Sequence, residues 1–254
     1  MCKNRCFIFR MTFQPSERPA VLTAQMSTNP SPAIKIAGSD AAVLADTDLL
    51  QLSCGISGCD SNCCKASAPI VLNPYEIALI CRESAMSYED LLDIVETDRA
   101  NGFPLVMLPR NPVCHFWTEN GCRIYSARPL ACRLFPMGRV YDGMQSRFVL
   151  PGRNICRGLA PLPARTVGDY LKAQDAAQQI RMADQWIEFV NDIELLPLPD
   201  KPVTSVAFHM IVYSPDTPPV PASENADAIT SPEERFIQRL ETALGQLPRF
   251  LRLR

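Results

Sequence analysis

Four cysteines fall within eleven residues in the run Cys54-Gly-Ile-Ser-Gly-Cys59-Asp-Ser-Asn-Cys63-Cys64. No other stretch limits the fold so strongly. Glycine, serine and aspartate between the thiols favour tight turns, so the sulfurs can converge. A buried cysteine is usually a small apolar residue, but four of them in a polar loop fill no core. Four more, Cys114, Cys122, Cys132 and Cys156, follow at loops and element ends. Taken singly, each of these reads equally well as a core residue. Their joint occurrence favours ligation.

The chain holds eleven cysteines, an odd number, with no visible signal peptide. Cys63 and Cys64 are neighbours and cannot easily bridge each other. This pattern points to metal ligation in a reducing compartment rather than to a disulfide scaffold. Thiolates suit tetrahedral zinc or an iron–sulfur cluster. The candidate ligands are therefore Cys54, Cys59, Cys63, Cys64, Cys114, Cys122, Cys132 and Cys156. Eight thiols could form two four-ligand sites, or one cluster with thiols to spare. Cys81 lies on an apolar helix face and reads as core. His115 adjoins Cys114, but strand neighbours point opposite ways, so it reads as a non-ligand. His209, in an apolar run, reads as a core or edge residue. Arg123, Arg128 and Arg133 surround Cys122 and Cys132. Guanidinium groups would stabilise a thiolate-rich site or hold a substrate carboxylate, and Arg128 and Arg133 are the candidates for that role.

A formal charge of −2 over 254 residues gives no push toward nucleic acid or an anionic membrane. No apolar run reaches bilayer length, which makes a cytoplasmic location the default. Twenty-three prolines against eleven glycines predict short elements joined by stiff loops. Residues 1–45 read as disordered or as a mis-annotated start, with Met26 as the alternative first residue. Asn73-Pro-Tyr-Glu76 predicts a capped helix to about Glu83, and Ser87-Tyr-Glu-Asp90 a second one through Val95. Leu105–Leu108 reads as a strand, and a hairpin is expected around Thr118-Glu-Asn-Gly121. Ala127–Leu134 reads as a helical turn, and Arg139–Leu150 as a further hairpin. From Thr166, apolar residues recur at helical spacing to Val190; Val203–Tyr213 reads as a strand. Residues 214–230 read as a linker before a final amphipathic helix that starts at Ser231. The expected fold is α+β: small hairpins and short helices around a cysteine metal site at 46–160, with a mostly helical extension at 161–254.

The run Gly121-Cys-Arg-Ile-Tyr-Ser-Ala-Arg-Pro-Leu-Ala-Cys-Arg-Leu-Phe-Pro136 follows Cys63-Cys64, Pro74-Tyr-Glu76-Ile77 and Cys114 in that order. Together they resemble the zinc- or iron-chelating cysteine-cluster family of the YkgJ type, which includes flagellin lysine N-methylases. The resemblance covers about residues 50–160. In that family the first loop runs Cys-x-x-Cys-x-x-Cys-Cys, whereas here four residues follow Cys54 and three follow Cys59. The resemblance implies metal binding. As an alternative it implies a cluster-dependent protein lysine N-methyltransferase that uses S-adenosylmethionine and acts on a protein substrate. No glycine-rich dinucleotide-type motif supports a standard site for that cofactor. A third reading is a structural zinc module whose C-terminal helices bind a protein partner. The oligomeric state is left open.

Overall fold

The computed structural model describes residues 33–36, 39–50, 63–65, 68–100, 103–141, 145–150, 165–194, 206–216 and 231–252. The fold is α+β, as the sequence predicts. Helix α1 (Pro74–Ser84) is the central support of the cysteine region. The Asn73 side chain accepts from the Glu76 N–H at 2.9 Å, and Glu76 Oε2 accepts from the Asn73 N–H at 3.0 Å. Pro74 at the first helical position loses no intrahelical bond. Ala85, left-handed at φ 53°, ends the helix. Ile77 and Ile80 are fully buried.

Strands β4 (Ile70–Leu72), β5 (Glu96–Ala100) and β6 (Phe103–Leu108) form an antiparallel sheet in the order β4-β6-β5. Ile70 pairs with Leu108 and Leu72 with Val106, and all four are buried on the core face. The second predicted helix is shorter than expected, ending at Leu92 as α2 (Tyr88–Leu92). The residues beyond it supply β5, whose Glu-Thr-Asp-Arg-Ala sequence gives no local strand signal. Its structure comes from pairing with β6.

Part of the N-terminal stretch read as poorly structured instead forms strands. β1 (Ala33–Ile36) and β2 (Ser39–Leu44) join β9 (Gly138–Tyr141) and β10 (Ser146–Leu150) in the order β1-β2-β10-β9. The β2–β10 pairing spans about a hundred residues of chain, so no local pattern announces it. A two-stranded pair joins β3 (Leu49–Leu50) to β11 (Arg165–Thr166). The expected hairpin is present as β7 (Trp117–Thr118) and β8 (Gly121–Cys122), followed by α3 (Leu130–Leu134).

The periodic stretch after Thr166 is two helices, α4 (Val167–Ala173) and α5 (Ala177–Glu194). Asp175, left-handed at φ 50°, separates them: the Ala176 N–H donates to the Leu171 carbonyl and the Asp175 N–H to the Lys172 carbonyl, each at 3.1 Å, and Arg133 braces this turn through the Gln174 and Asp175 carbonyls. The expected strand ending at Tyr213 is instead helical, closing in a π turn, His209–Tyr213. Phe208 and Val212 are buried while Val206 and Met210 are exposed. That pattern fits spacings of two and of four equally, so a short run cannot distinguish strand from helix. Helix α6 (Pro232–Arg252) starts as predicted, with Ser231 and Glu234 capping each other. It packs on α1 and α5 within the main core. Among the described residues no helix is long and apolar enough to cross a membrane.

Candidate metal centre

Short elements far apart in sequence deliver the thiols. Cys63 and Cys64 sit on a single 3-10 turn, Cys63–Lys65. Cys114 lies between β6 and β7, Cys122 on β8 and Cys132 on α3. The Cys114 N–H donates to the Cys64 carbonyl at 2.8 Å, which ties the first two elements together. In the hairpin, Thr118 Oγ1 donates to the Gly121 carbonyl at 2.9 Å. Gly121 has φ 110°, a conformation open to glycine alone, so it fixes where Cys122 enters.

Cys64 is buried at the centre. Its thiol meets the sulfurs of Cys114, Cys122 and Cys63, the last at 4.0 Å. Contact with these thiols, and then burial, pushes the Cys64 thiol far up. Accepting from Cys64 pulls Cys63 down to about 6 and Cys114 down to about 7, against the opposing effect of burial. Cys122 is lowered by the same contact. The four sulfurs thus share protons as one group. Burial raises the Cys132 thiol, and the charges of Cys63, Cys114 and Cys122 reach it. Cys54, Cys59 and Cys156 lie outside the described residues. Cys81 stands apart: burial lifts its thiol to about 11, and its charged neighbours are Asp216 and Asp90. His115 is exposed, with its ring edge-on to Phe116. His209 Nδ1 lies 3.0 Å from Tyr88 Oη.

The two arginines singled out by sequence occupy different places. Arg128 is buried, lies 3.8 Å from the Tyr125 ring centre and donates from Nη2 to Gln174 Oε1 at 2.6 Å. Its charge acts on Cys63, and its buried Nε has no hydrogen-bond acceptor among the described residues. Arg133 donates to the carbonyls of Ser126, Arg128, Gln174 and Asp175. It fastens α3 to the α4–α5 junction and has no hydrogen bond to a thiol.

Sequence reasoning missed Arg110. Its Nε donates to the Ala68 carbonyl at 2.6 Å and its Nη1 to the Cys63 carbonyl at 2.7 Å. Its charge acts on Cys63, Cys114 and Cys132. A basic residue in the stiff Pro-Arg-Asn-Pro segment just before Cys114 was the available signal. Glu76 was expected as a cap for α1, but it also accepts the Leu130 N–H at 2.7 Å and so anchors α3.

Residues 53–156 match the model of the CxxCxxCC family. That family is described as a proposed zinc- or iron-chelating domain. The likeness drawn from the sequence to a zinc- or iron-chelating cysteine family holds at that level. No curated protein matches the chain, and no solved structure does. The CxxCxxCC match spans all eight candidate cysteines, from Cys54 to Cys156.

The donor chemistry fits a thiophilic cation. The converging groups are thiols, those of Cys63 and Cys114 lowered toward neutral pH, and the charges of Arg110 and Arg128 favour their ionised forms. Arg128, whose buried Nε has no acceptor among the described residues, is one of the cations whose charge acts on Cys63. Among the described residues no three His, Cys, Asp or Glu side chains form a ready-made ion-holding group.

Proposed function

We propose that this chain binds zinc or an iron–sulfur cluster through thiolates. Cys63, Cys64, Cys114 and Cys122 are the inner set, and Cys132, Cys54, Cys59 and Cys156 complete it. The observation that carries this reading is the meeting of Cys63, Cys64, Cys114 and Cys122, thiols from three parts of the chain, with Cys63 Sγ 4.0 Å from Cys64 Sγ and the Cys114 N–H on the Cys64 carbonyl at 2.8 Å. The shared proton holds together thiols that would repel one another as thiolates. A soft cation does the same more strongly, and displaces that proton. Bound zinc would pin the loops together; a cluster would add electron storage.

The test is metal and sulfide analysis of the anaerobically purified chain, with absorption spectra. Iron with inorganic sulfide and broad visible absorption identifies a cluster; colourless protein with bound zinc identifies a zinc site. Cys64→Ser should lower the metal content sharply in either case. A chain that retains no zinc or iron and takes up none anaerobically would refute the proposal. So would a Cys64→Ser variant that binds as well as the native protein.

A further inference from the structure

We infer that Arg110 is the positioning residue of this centre, a planar clamp that fixes the Cys63–Lys65 turn against the segment carrying Cys114. The inference rests on the metal-site reading above. Two carbonyls of the turn region, Cys63 and Ala68, are bridged by one guanidinium at 2.7 and 2.6 Å. Four residues along, the Cys114 N–H grips the same turn through the Cys64 carbonyl at 2.8 Å. Side chain and backbone of one short segment thus hold the turn at two points and Ala68, three residues beyond it, at a third, and the relative placement of Cys63, Cys64 and Cys114 follows. Burial of Cys64 and Cys114 leaves little room for the sulfurs to adjust if the clamp is lost. The guanidinium also brings its charge to three thiols.

A fork of donors in a fixed plane can span two carbonyls; a lysine ammonium cannot do so in the same geometry. Arg123 provides an internal comparison. It is exposed, lies over Phe116 with 5.9 Å to the ring centre, and among the described residues its side chain donates only to the His115 carbonyl, at 3.4 Å. Removing it takes a charge from the neighbourhood but no contact from the turn.

The experiment is an anaerobic Co2+ titration of the full chain, read by affinity and by the thiolate-to-cobalt absorption band. The native protein is compared with Arg110→Gln, Arg110→Lys and Arg123→Gln. Loss of a residue that orients ligands lowers affinity by about 10–100-fold. We expect that loss for Arg110→Gln, together with a weaker band, because fewer thiolates reach the ion. Arg110→Lys should recover only a minor part of both, and Arg123→Gln should stay near the native values. If Arg110→Gln fails to fold, as judged by far-UV circular dichroism, Arg110→Lys carries the test. The clamp is overturned if Arg110→Gln keeps native affinity and band. It is also overturned if Arg110→Lys restores both fully, since charge alone would then suffice. A native chain that takes up no cobalt overturns the metal reading itself, whereas equal binding by all variants overturns only the role of Arg110.

Discussion

Replacing Glu76 by alanine should cost about 2–6 kcal/mol of folding free energy, with the first loss at α3. The carboxylate is only 4% exposed, so water cannot substitute for it. One oxygen accepts the Asn73 N–H at 3.0 Å and the other the Leu130 N–H at 2.7 Å. Alanine strands both donors, and a stranded buried donor costs about 1–3 kcal/mol. Glutamine is the sharper probe. Its amide offers one acceptor where two donors point, so one bond survives and an NH2 group confronts the other N–H. Its cost should be roughly half that of alanine. The order of stability should therefore be native, then Gln, then Ala. Leu130 opens α3, the helix that carries Cys132, so loosening it should also weaken metal uptake. Urea unfolding gives the free energies by linear extrapolation, and hydrogen exchange at the Leu130 and Asn73 amides locates the loss. If the alanine variant lies within about 0.5 kcal/mol of the native protein, in the range of a surface substitution, the two bonds are not doing what the geometry implies. An undiminished protection of the Leu130 amide would say the same.

Two pH-dependent outcomes follow, one from the thiols and one from His209. In the metal-free chain, alkylation by iodoacetamide should set in near pH 6 at Cys63 and near pH 7 at Cys114, while Cys81, held at about 11, resists at neutral pH. Equal labelling of Cys63 and Cys81 at neutral pH, mapped by mass spectrometry, would contradict the shared-proton arrangement. His209 is lowered by burial and then by the Arg99 charge, so the unfolded chain takes up a proton before the folded one does. Its contribution to stability is full above the ordinary value of about 6.5 and is lost as pH falls through the depressed folded value. His209→Gln should flatten the fall in melting temperature below about pH 6.5, and an unaltered slope would rule this histidine out as its source.

How much of this was legible in the sequence depends on how local each cause is. The caps of α1, α2 and α6 are contained within four residues, and all three were readable from Asn73, Ser87 and Ser231. The Asn-Gly hairpin was readable for the same reason. β5 was not, because its polar residues are held only by the partner strand. The break between α4 and α5 was hidden for a different reason: helical periodicity continues across it, and the left-handed position that ends α4 is held by Asp175 rather than by the glycine that would announce it. The same division runs through the site. Thiols announce themselves by type and clustering, so Cys63, Cys64, Cys114, Cys122 and Cys132 could be named before any geometry was known. Arg110 acts through backbone carbonyls of residues it does not adjoin, and nothing in its identity announces that. Arg128 and Arg133 look alike in the sequence, yet the charge of one acts on Cys63 while the other buttresses the frame.

The CxxCxxCC match ends at Cys156, but the core does not. Leu72, Ile77, Ile80 and Val106 share one buried cluster with Phe189, Ile193, Leu240, Ala243 and Leu247. Tyr75 Oη donates to Glu233 Oε1 at 2.5 Å, and Tyr213 Oη donates to the Pro104 carbonyl at 2.9 Å, so polar ties cross the same boundary. A segment that shares its core in this way gains little by unfolding alone, since each half would expose the apolar surface of the other. Metal binding should therefore stabilise the whole assembly: a ligand that binds only the folded state raises the free energy of every residue in the cooperative unit by the same amount. The chain carries two tryptophans, and they fall on either side of the boundary. Trp117 lies on β7 beside the thiols with Lys65 Nζ 4.7 Å from its ring centre, and Trp186 stacks on Phe189 in α5. Trp117→Phe and Trp186→Phe therefore give two proteins, each reporting one side by fluorescence. In both, chelation should lower a single melting transition, and within each metal state the two should melt at closely similar temperatures. Leu247→Ala, which empties a site 1% exposed in α6, should cost about 2–5 kcal/mol and be felt equally by Trp117 across the boundary. A Trp117 signal that responds to chelation while Trp186 melts unchanged would show instead that the cysteine region folds by itself, and the shared cluster would then be contact without cooperativity.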